Sequence, residues 1–273
     1  MPPLSSKTVV FIHGMYMTPS CWEDWVRRFA ERGYQAMAPA WPGREGKTVA
    51  ELRDQRDPRL GELGLPAIVD HYARILRALP QKPIIVGHSM GGLVVQLLLQ
   101  QGLAEAGVAI DSAPPQGFVG LLTKWAFKWS FVKANWQIGP FKSKATPHVM
   151  TLEEFRYGWA HTLPEDAQRR FYERYVVPES RRVGEGPTTD AALIDFSREH
   201  APLLLIAGVE DRTIPVRLNQ DTYAAYLQSP SITNLLEVEG RTHLILNQPG
   251  WEEVADDVLG WIAGRGHTTA SQR

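Results

Sequence analysis

The tract Gly87-His88-Ser89-Met90-Gly91 sets a serine between two glycines, one two residues before it and one two residues after. Apolar runs flank the tract. Pro83-Ile84-Ile85-Val86 predicts a buried strand leading in, and Leu93-Val94-Val95-Gln96-Leu97-Leu98 predicts a helix leading out. A chain that turns this sharply from strand to helix strains the serine backbone. It also brings neighbouring backbone too close for a side chain at the two flanking positions, which accounts for the glycines. The hydroxyl is then exposed at the C-terminal edge of a sheet. It lies beside a helix N-terminus, whose free N–H groups and dipole favour negative charge. A hydroxyl in that place is suited to attack a carbonyl, given a base to take its proton. Such a short pattern recurs by chance, so the strand before it and the helix after it give it its weight.

The rest of the chain reads as the frame that would hold this serine. Thr8 to Ile12 is a buried strand ending at His13-Gly14. A helix follows from about Pro19 to Arg32, with Trp22, Trp25, Val26 and Phe29 on one face. Tyr34 to Ala40 is the next strand, broken by Pro42-Gly43, and a polar stretch runs to about Gly64. A helix from Pro66 to Leu79, a strand from Lys82 to Val86, a helix from Leu93 to Gln101 and a strand from Val108 to Asp111 come next. Further on, strands Pro202 to Ala207 and Ile232 to Val238 alternate with helices Val216 to Leu227 and Gly250 to Ile262. Strands separated by helices imply right-handed crossovers. The fold class is therefore α/β, a mostly parallel sheet of about six strands with helices on both faces.

Between Ser112 and about Glu199 the rhythm fails. This stretch holds Trp125, Phe127, Trp129, Phe131, Trp136, Phe141, Phe155, Tyr157, Trp159, Phe171, Tyr172 and Tyr175. Helical spacing appears in Leu121 to Phe131, Leu152 to His161 and Asp166 to Arg174. It reads as a helical cap, residues 113–199, inserted into a core formed by residues 1–112 and 200–264. Most of its aromatics would form the cap's own core, and a minority would line the cavity beneath. The small, polar tail 265–273 is expected to be disordered. There is no internal repeat.

Composition narrows the partners. The 273 residues are 44% hydrophobic, enough for one large core. Lys and Arg total 29 against 30 Asp and Glu, a formal net charge of -1, which gives no case for nucleic acid or an anionic membrane. The densest basic cluster, Arg169, Arg170 and Arg174, is interleaved with Glu165, Asp166 and Glu173 and reads as a solvated helix face. A single cysteine, Cys21, excludes an internal disulfide and a thiolate metal cluster, and it reads as a small packing residue. The N-terminus shows no signal-peptide pattern, and no run approaches the ~20 apolar residues of a membrane span. The expectation is a cytoplasmic chain, with homodimer formation left open.

These features together resemble the alpha/beta hydrolase family, in its serine-nucleophile, esterase-like branch. The serine tract matches that family's Gly-x-Ser-x-Gly nucleophile elbow. His13-Gly14 matches the end of its first strand. The resemblance implies that the next residue, Met15, lends its backbone N–H to an oxyanion hole, with Met90 N–H as the second donor. Gly208-Val209-Glu210-Asp211-Arg212-Thr213-Ile214-Pro215 resembles the family's acid loop. Asp211 takes the acid position, with Glu210 and Asp111 as its rivals. Gly240-Arg241-Thr242-His243 supplies the implied base, His243, and the order Ser, Asp, His is the order of this fold. Of the eight histidines, His13 and His88 read as structural. His71, His148, His161, His200 and His267 stand outside any motif, with His161 the one candidate to enter the pocket. No strands precede Thr8, so the sheet is shorter than the family's usual eight.

The resemblance implies hydrolysis of carboxylic esters with apolar acyl or alcohol groups through an acyl-enzyme, a small-molecule substrate, and no cofactor or metal. Met15, Tyr16, Met17, Trp22 and the cap aromatics are the candidate pocket walls. His243 must be neutral to act, so activity is expected to rise across roughly pH 6 to 7.5. Lactone, amide and carbon–carbon bond hydrolysis use the same triad, and a ligand receptor on a hydrolase fold is a further alternative. A serine nucleophile speaks against dehalogenase or epoxide hydrolase chemistry, which uses an aspartate there.

Overall fold

Three strands buried along their whole length and a fourth buried at all but its first residue form the centre of the sheet. They are β1 (Thr8–Ile12), β3 (Ile84–His88), β4 (Ala106–Ile110) and β5 (Leu203–Gly208). Continuous apolar runs of this kind are what a sheet covered on both faces demands. The edges are β2 (Gln35–Met37), short and partly exposed, and β6 (Thr233–Val238), half-buried. The computed structural model describes residues 4–54, 58–117 and 147–264. Within them the strand order is β2-β1-β3-β4-β5-β6, and every pairing is parallel.

Helices make the crossovers. α1 (Glu23–Glu31) joins β1 to β2, and α2 (Val49–Asp54) and α3 (Leu65–Ala78) lie between β2 and β3. α4 (Met90–Gln100) joins β3 to β4 and is buried from Met90 to Leu99. Residues 152–185 carry α5 (Leu152–Gly158), α6 (Glu165–Tyr175) and α7 (Arg181–Glu185). α8 (Val216–Tyr226) joins β5 to β6, and α9 (Trp251–Ile262) closes the chain. α1 packs beside α9, and α3 beside α4. The chain runs from β1 outward to β2 and then back to β3. The crevice at the C-terminal ends of β1 and β3 is therefore the switch point where open α/β sheets place their sites. The pairing of Ile12 with Gly87 brings His13-Gly14 level with Ser89.

The elements expected within the described residues occur there, with shifted ends. α1 is shorter than predicted because Pro19–Trp22 forms a separate 3-10 turn, capped by Thr18. The polar stretch before Gly64 hides α2. Its signal was present in the sequence as a capping box: Glu51 N donates to Thr48 Oγ1, and Thr48 N donates to Glu51 Oε2. A second capping box, Thr151 with Glu154, starts α5.

Between β4 and β5 the regular elements of the described residues are helical, apart from one antiparallel bridge between His148 and Glu179. Phe155, Trp159 and Tyr175 are buried there. Phe155 meets Tyr172, and Phe171 stacks on Tyr175, as a local core requires. The predicted helix Leu121 to Phe131, the aromatics from Trp125 to Phe141 and the tail 265–273 lie outside the described residues. No described helix is long and apolar enough to cross a membrane.

Candidate active site

Ser89 stands between β3 and α4 with φ 57° and ψ −120°, a conformation a side chain rarely adopts. Its backbone is held on both sides. Ser89 N donates to Ile110 O, while Ser89 O accepts from Gly92 N and Ala113 N, each at 2.9 Å. The flanking glycines are required by contact. A Cβ on Gly87 would fall 2.2 Å from Gly91 O, and one on Gly91 would fall 2.2 Å from Ile12 O. α4 therefore begins at Met90, three residues before the predicted start: the glycines belong to its first turn, not to a loop ahead of it.

His243 joins this serine to a carboxylate. Its Nε2 lies 3.0 Å from Ser89 Oγ, and its Nδ1 lies 2.6 Å from Asp211 Oδ2. The loop after β5 aims Asp211. Its other oxygen, Oδ1, accepts from Thr213 N at 2.6 Å and Ile214 N at 2.8 Å. Both side chains are fully buried. Burial lowers the imidazole pKa of His243 below its ordinary value, so the ring is neutral at neutral pH, as a base must be. Burial lifts the Asp211 carboxyl, and the two amide donors oppose that rise. The rival Glu210 is exposed.

The other rival, Asp111, is buried at the end of β4 and has φ 42°. Its Oδ1 accepts from Gly208 N at 2.6 Å, while Oδ2 has no partner among the described residues. Burial, then the charge of Asp211, raises its pKa well above the carboxylate range. One ligating atom each of His88, Asp111 and His243 lies within 4.8 Å of the others. His88 is also buried and neutral, and its Nε2 pairs with His243 O at 3.0 Å, which braces His243 from behind.

The loop after β1 closes the other side of the serine. A Cβ on Gly14 would meet Ser89 Cβ at 2.8 Å and lie 3.4 Å from Ser89 Oγ, so only glycine lets this loop lie flush with the hydroxyl. Burial, then the charge of Arg44, keeps His13 neutral. Its Nε2 accepts from Trp41 N at 3.3 Å, which leaves the proton on Nδ1 to reach Gly14 O at 2.9 Å. Among the described residues no group accepts from Met15 N or Met90 N. Tyr16 has φ 60°. Tyr16, Ser89 and Asp111 are the described non-glycine residues at positive φ, and all three sit at this one edge of the sheet. Such conformations cost about 1–3 kcal/mol each and persist where surrounding structure over-determines them.

Several contributors were not singled out by the sequence. Trp159, at the end of α5, presents its ring edge-on to His243, with centroids 4.9 Å apart. Its carbonyl accepts from Thr242 Oγ1 at 2.6 Å, and the neighbouring Gly158 O accepts from Thr213 Oγ1 at 3.2 Å. The end of α5 is thus bonded to both the Asp211 loop and the His243 loop. Arg44 and Glu179 form a fully buried ion pair at 2.6 Å behind the loop after β1. Removing one partner of such a pair typically costs about 3–5 kcal/mol. His161 lies half-buried near Arg212, whose charge adds to burial in lowering its pKa. Trp22 packs with Phe11 and Trp25 in the core. His71 and His200 bond backbone carbonyls, His148 packs on the Tyr16 ring, and His267 is outside the described residues.

Comparison with known proteins agrees with this architecture. A Mycoplasma pneumoniae protein, provisionally named an esterase/lipase, is 26% identical over 156 residues. The match spans 55% of this chain and 51% of that protein, about half the relative's length. The crystal structure of a Paleococcus ferrophilus monoacylglycerol lipase superposes with a TM-score of 0.67 at 18% identity, covering 95% of each chain. That of a Sphingobium faniae pyrethroid hydrolase gives 0.65 at 16%, covering 93% of this chain and 96% of that one. At such identities the likeness is one of fold. The sequence profile of the alpha/beta hydrolase family matches residues 9–257, and with its six-stranded parallel sheet the chain belongs to that family.

Proposed function

We propose that the protein is a serine hydrolase that cleaves carboxylic esters through Ser89, His243 and Asp211. One observation carries the reading: the unbroken chain of hydrogen bonds from Ser89 Oγ through His243 to Asp211, at 3.0 Å and 2.6 Å. His243 takes the proton of Ser89 as the oxygen attacks the acyl carbonyl. Asp211 orients the ring and stabilises its cationic form. The negative charge that develops on the carbonyl oxygen meets the N–H groups of Met15 and Met90, both left free of protein acceptors among the described residues. One such donor is typically worth about 3 kcal/mol. His243 then protonates the leaving alcohol, and water repeats the sequence on the acyl-enzyme.

Apolar surroundings favour an apolar acyl or alcohol group. Trp159, Tyr16 and Met15 are all buried around the triad. The contact of Trp159 with His243 also supports reading residues 113–199 as a cap over the core. The names of similar proteins, an esterase/lipase and a monoacylglycerol lipase, point the same way.

The test is initial rates on p-nitrophenyl esters of increasing acyl length, for wild type and Ser89→Ala. Turnover that the substitution cuts by several orders of magnitude is expected. A Ser89→Ala variant with near-full turnover would overturn the assignment. A wild type silent on every ester would move the reaction to a lactone, an amide or a carbon–carbon bond, or to ligand binding without turnover.

A further inference from the structure

The peptide groups on either side of Met15 are locked by different parts of the molecule. Gly14 C=O, in the same peptide plane as Met15 N–H, accepts from the ring of His13. The next plane is held from far away in the chain: Tyr16 N donates to Glu179 Oε2 at 3.0 Å. The clamp continues through the loop. Val177 N donates to Tyr16 O at 2.9 Å, and Arg44 Nη1 donates to Met17 O. Arg44 Nη2 donates to the same Glu179 Oε2 at 2.6 Å, and Ser180 N occupies Oε1 at 2.8 Å. The Glu179 backbone is fixed in turn by a pair of bonds to His148.

Glu179 and Arg44 are both fully buried, and stacking packs the pair against the motif. Arg44 lies over the Trp41 ring at 5.2 Å, and Trp41 stacks on His13 at 4.6 Å. Two charges have thus been taken out of water directly behind a backbone turn that carries a positive φ at Tyr16. Apolar residues of similar size would hold a loop at less desolvation cost. What the carboxylate adds is a fixed acceptor for one backbone N–H, and that N–H sits one residue after the amide aimed at the oxyanion. Preorganised donors work because they need no reorganisation when charge appears, and small misplacements lower the rate steeply.

We propose that Glu179, held by Arg44, is a positioning residue of the oxyanion hole: it fixes the Met15–Tyr16 peptide so that the Met15 amide faces the developing negative charge. The proposal rests on the serine-esterase reading. Because Glu179 belongs to the stretch between β4 and β5, it also makes the shape of the oxyanion loop depend on that stretch being docked.

The experiment compares wild type, Ser89→Ala, Glu179→Gln and the double variant Arg44→Met/Glu179→Leu. It uses p-nitrophenyl butyrate as substrate and butylboronic acid as an inhibitor whose serine adduct places an oxygen in the oxyanion hole. The double variant leaves no lone buried charge and is expected to fold, which keeps the test open if Glu179→Gln does not. In both Glu179 variants kcat should fall about 10- to 100-fold with KM within about threefold. Boronic acid affinity should weaken by a similar factor, and the acid limb of the pH profile should stay in place. A folded double variant with kcat within about twofold of wild type, or a loss confined to KM, overturns the role of Glu179. Wild-type turnover that does not depend on Ser89 overturns the esterase reading itself, and this proposal with it.

Discussion

The ring of Trp159 stands edge-on to that of His243 at 72°, and the Trp159 carbonyl takes a hydrogen bond from Thr242, the residue just before the histidine. One residue from outside the sheet therefore both walls off and tethers the proposed base. A wall of this kind keeps water from the imidazole and favours its neutral form.

The pH profile should carry that signature. The group that must lose its proton has its pKa lowered by burial, so the active, neutral form persists to lower pH than free imidazole allows. The acid limb of kcat/KM should have its midpoint below about 6.5, lower than the rise across pH 6 to 7.5 expected from an unperturbed histidine. Stopped assays from pH 4 to 9 on a p-nitrophenyl ester would measure it. A midpoint at or above that value would mean that the charge of Asp211, 2.6 Å away, outweighs burial.

Trp159→Ala should shift the same limb. Water admitted to the ring stabilises the imidazolium, so the midpoint should rise by about half a unit to one unit toward the free value. An unmoved midpoint in a folded variant would remove Trp159 from the causes of the shift.

The acid assignment separates cleanly by substitution. Asp211→Asn should lower kcat by about 10⁴ through loss of the correct tautomer, as in other serine triads. Glu210→Gln, on an exposed side chain, should leave kcat within about twofold. If Asp211→Asn instead kept a tenth or more of the wild-type rate, the buried Asp111 would have taken over the role.

Asp111 should also leave a mark on stability. Its folded-state pKa is raised, so the folded chain retains a proton that the unfolded chain releases above about pH 4. Its contribution is therefore most favourable at low pH and is lost as pH rises. Asp111→Asn keeps the acceptor for Gly208 N and removes the titration. The melting temperature of the variant relative to wild type should rise from pH 4 to pH 8. A difference independent of pH would show that Asp111 is ionised in the fold.

Much of this was written locally in the chain. The elbow announced itself because its glycines answer to contacts within a few residues or to the adjacent strand, and Asp211 and His243 each follow an apolar run that had to be a strand. Six parallel strands followed from the alternation of runs. What was hidden depends on distant pairing. Glu179 is one acid among several between Ser112 and Glu199 until it meets Arg44, 135 positions earlier in the sequence. Trp159 was one aromatic among many, and nothing in its spacing marked it as the one to face His243. Helix α2 was missed for a different reason: its capping box was present, but its apolar face is too short for periodicity to register.

Tyr16, Ser89 and Asp111 hold left-handed backbone at one edge of the sheet. Glycine at such positions would relieve the backbone strain, since it adopts positive φ readily. It would also free the backbone beside the loop after β1, at the Ser89 hydroxyl, and behind Asp211. Strain relief and turnover are expected to oppose each other at these three positions, so a search for heat-tolerant variants has its open ground elsewhere. Leu227 and Ile232, exposed apolar residues flanking the turn between α8 and β6, are where it should begin.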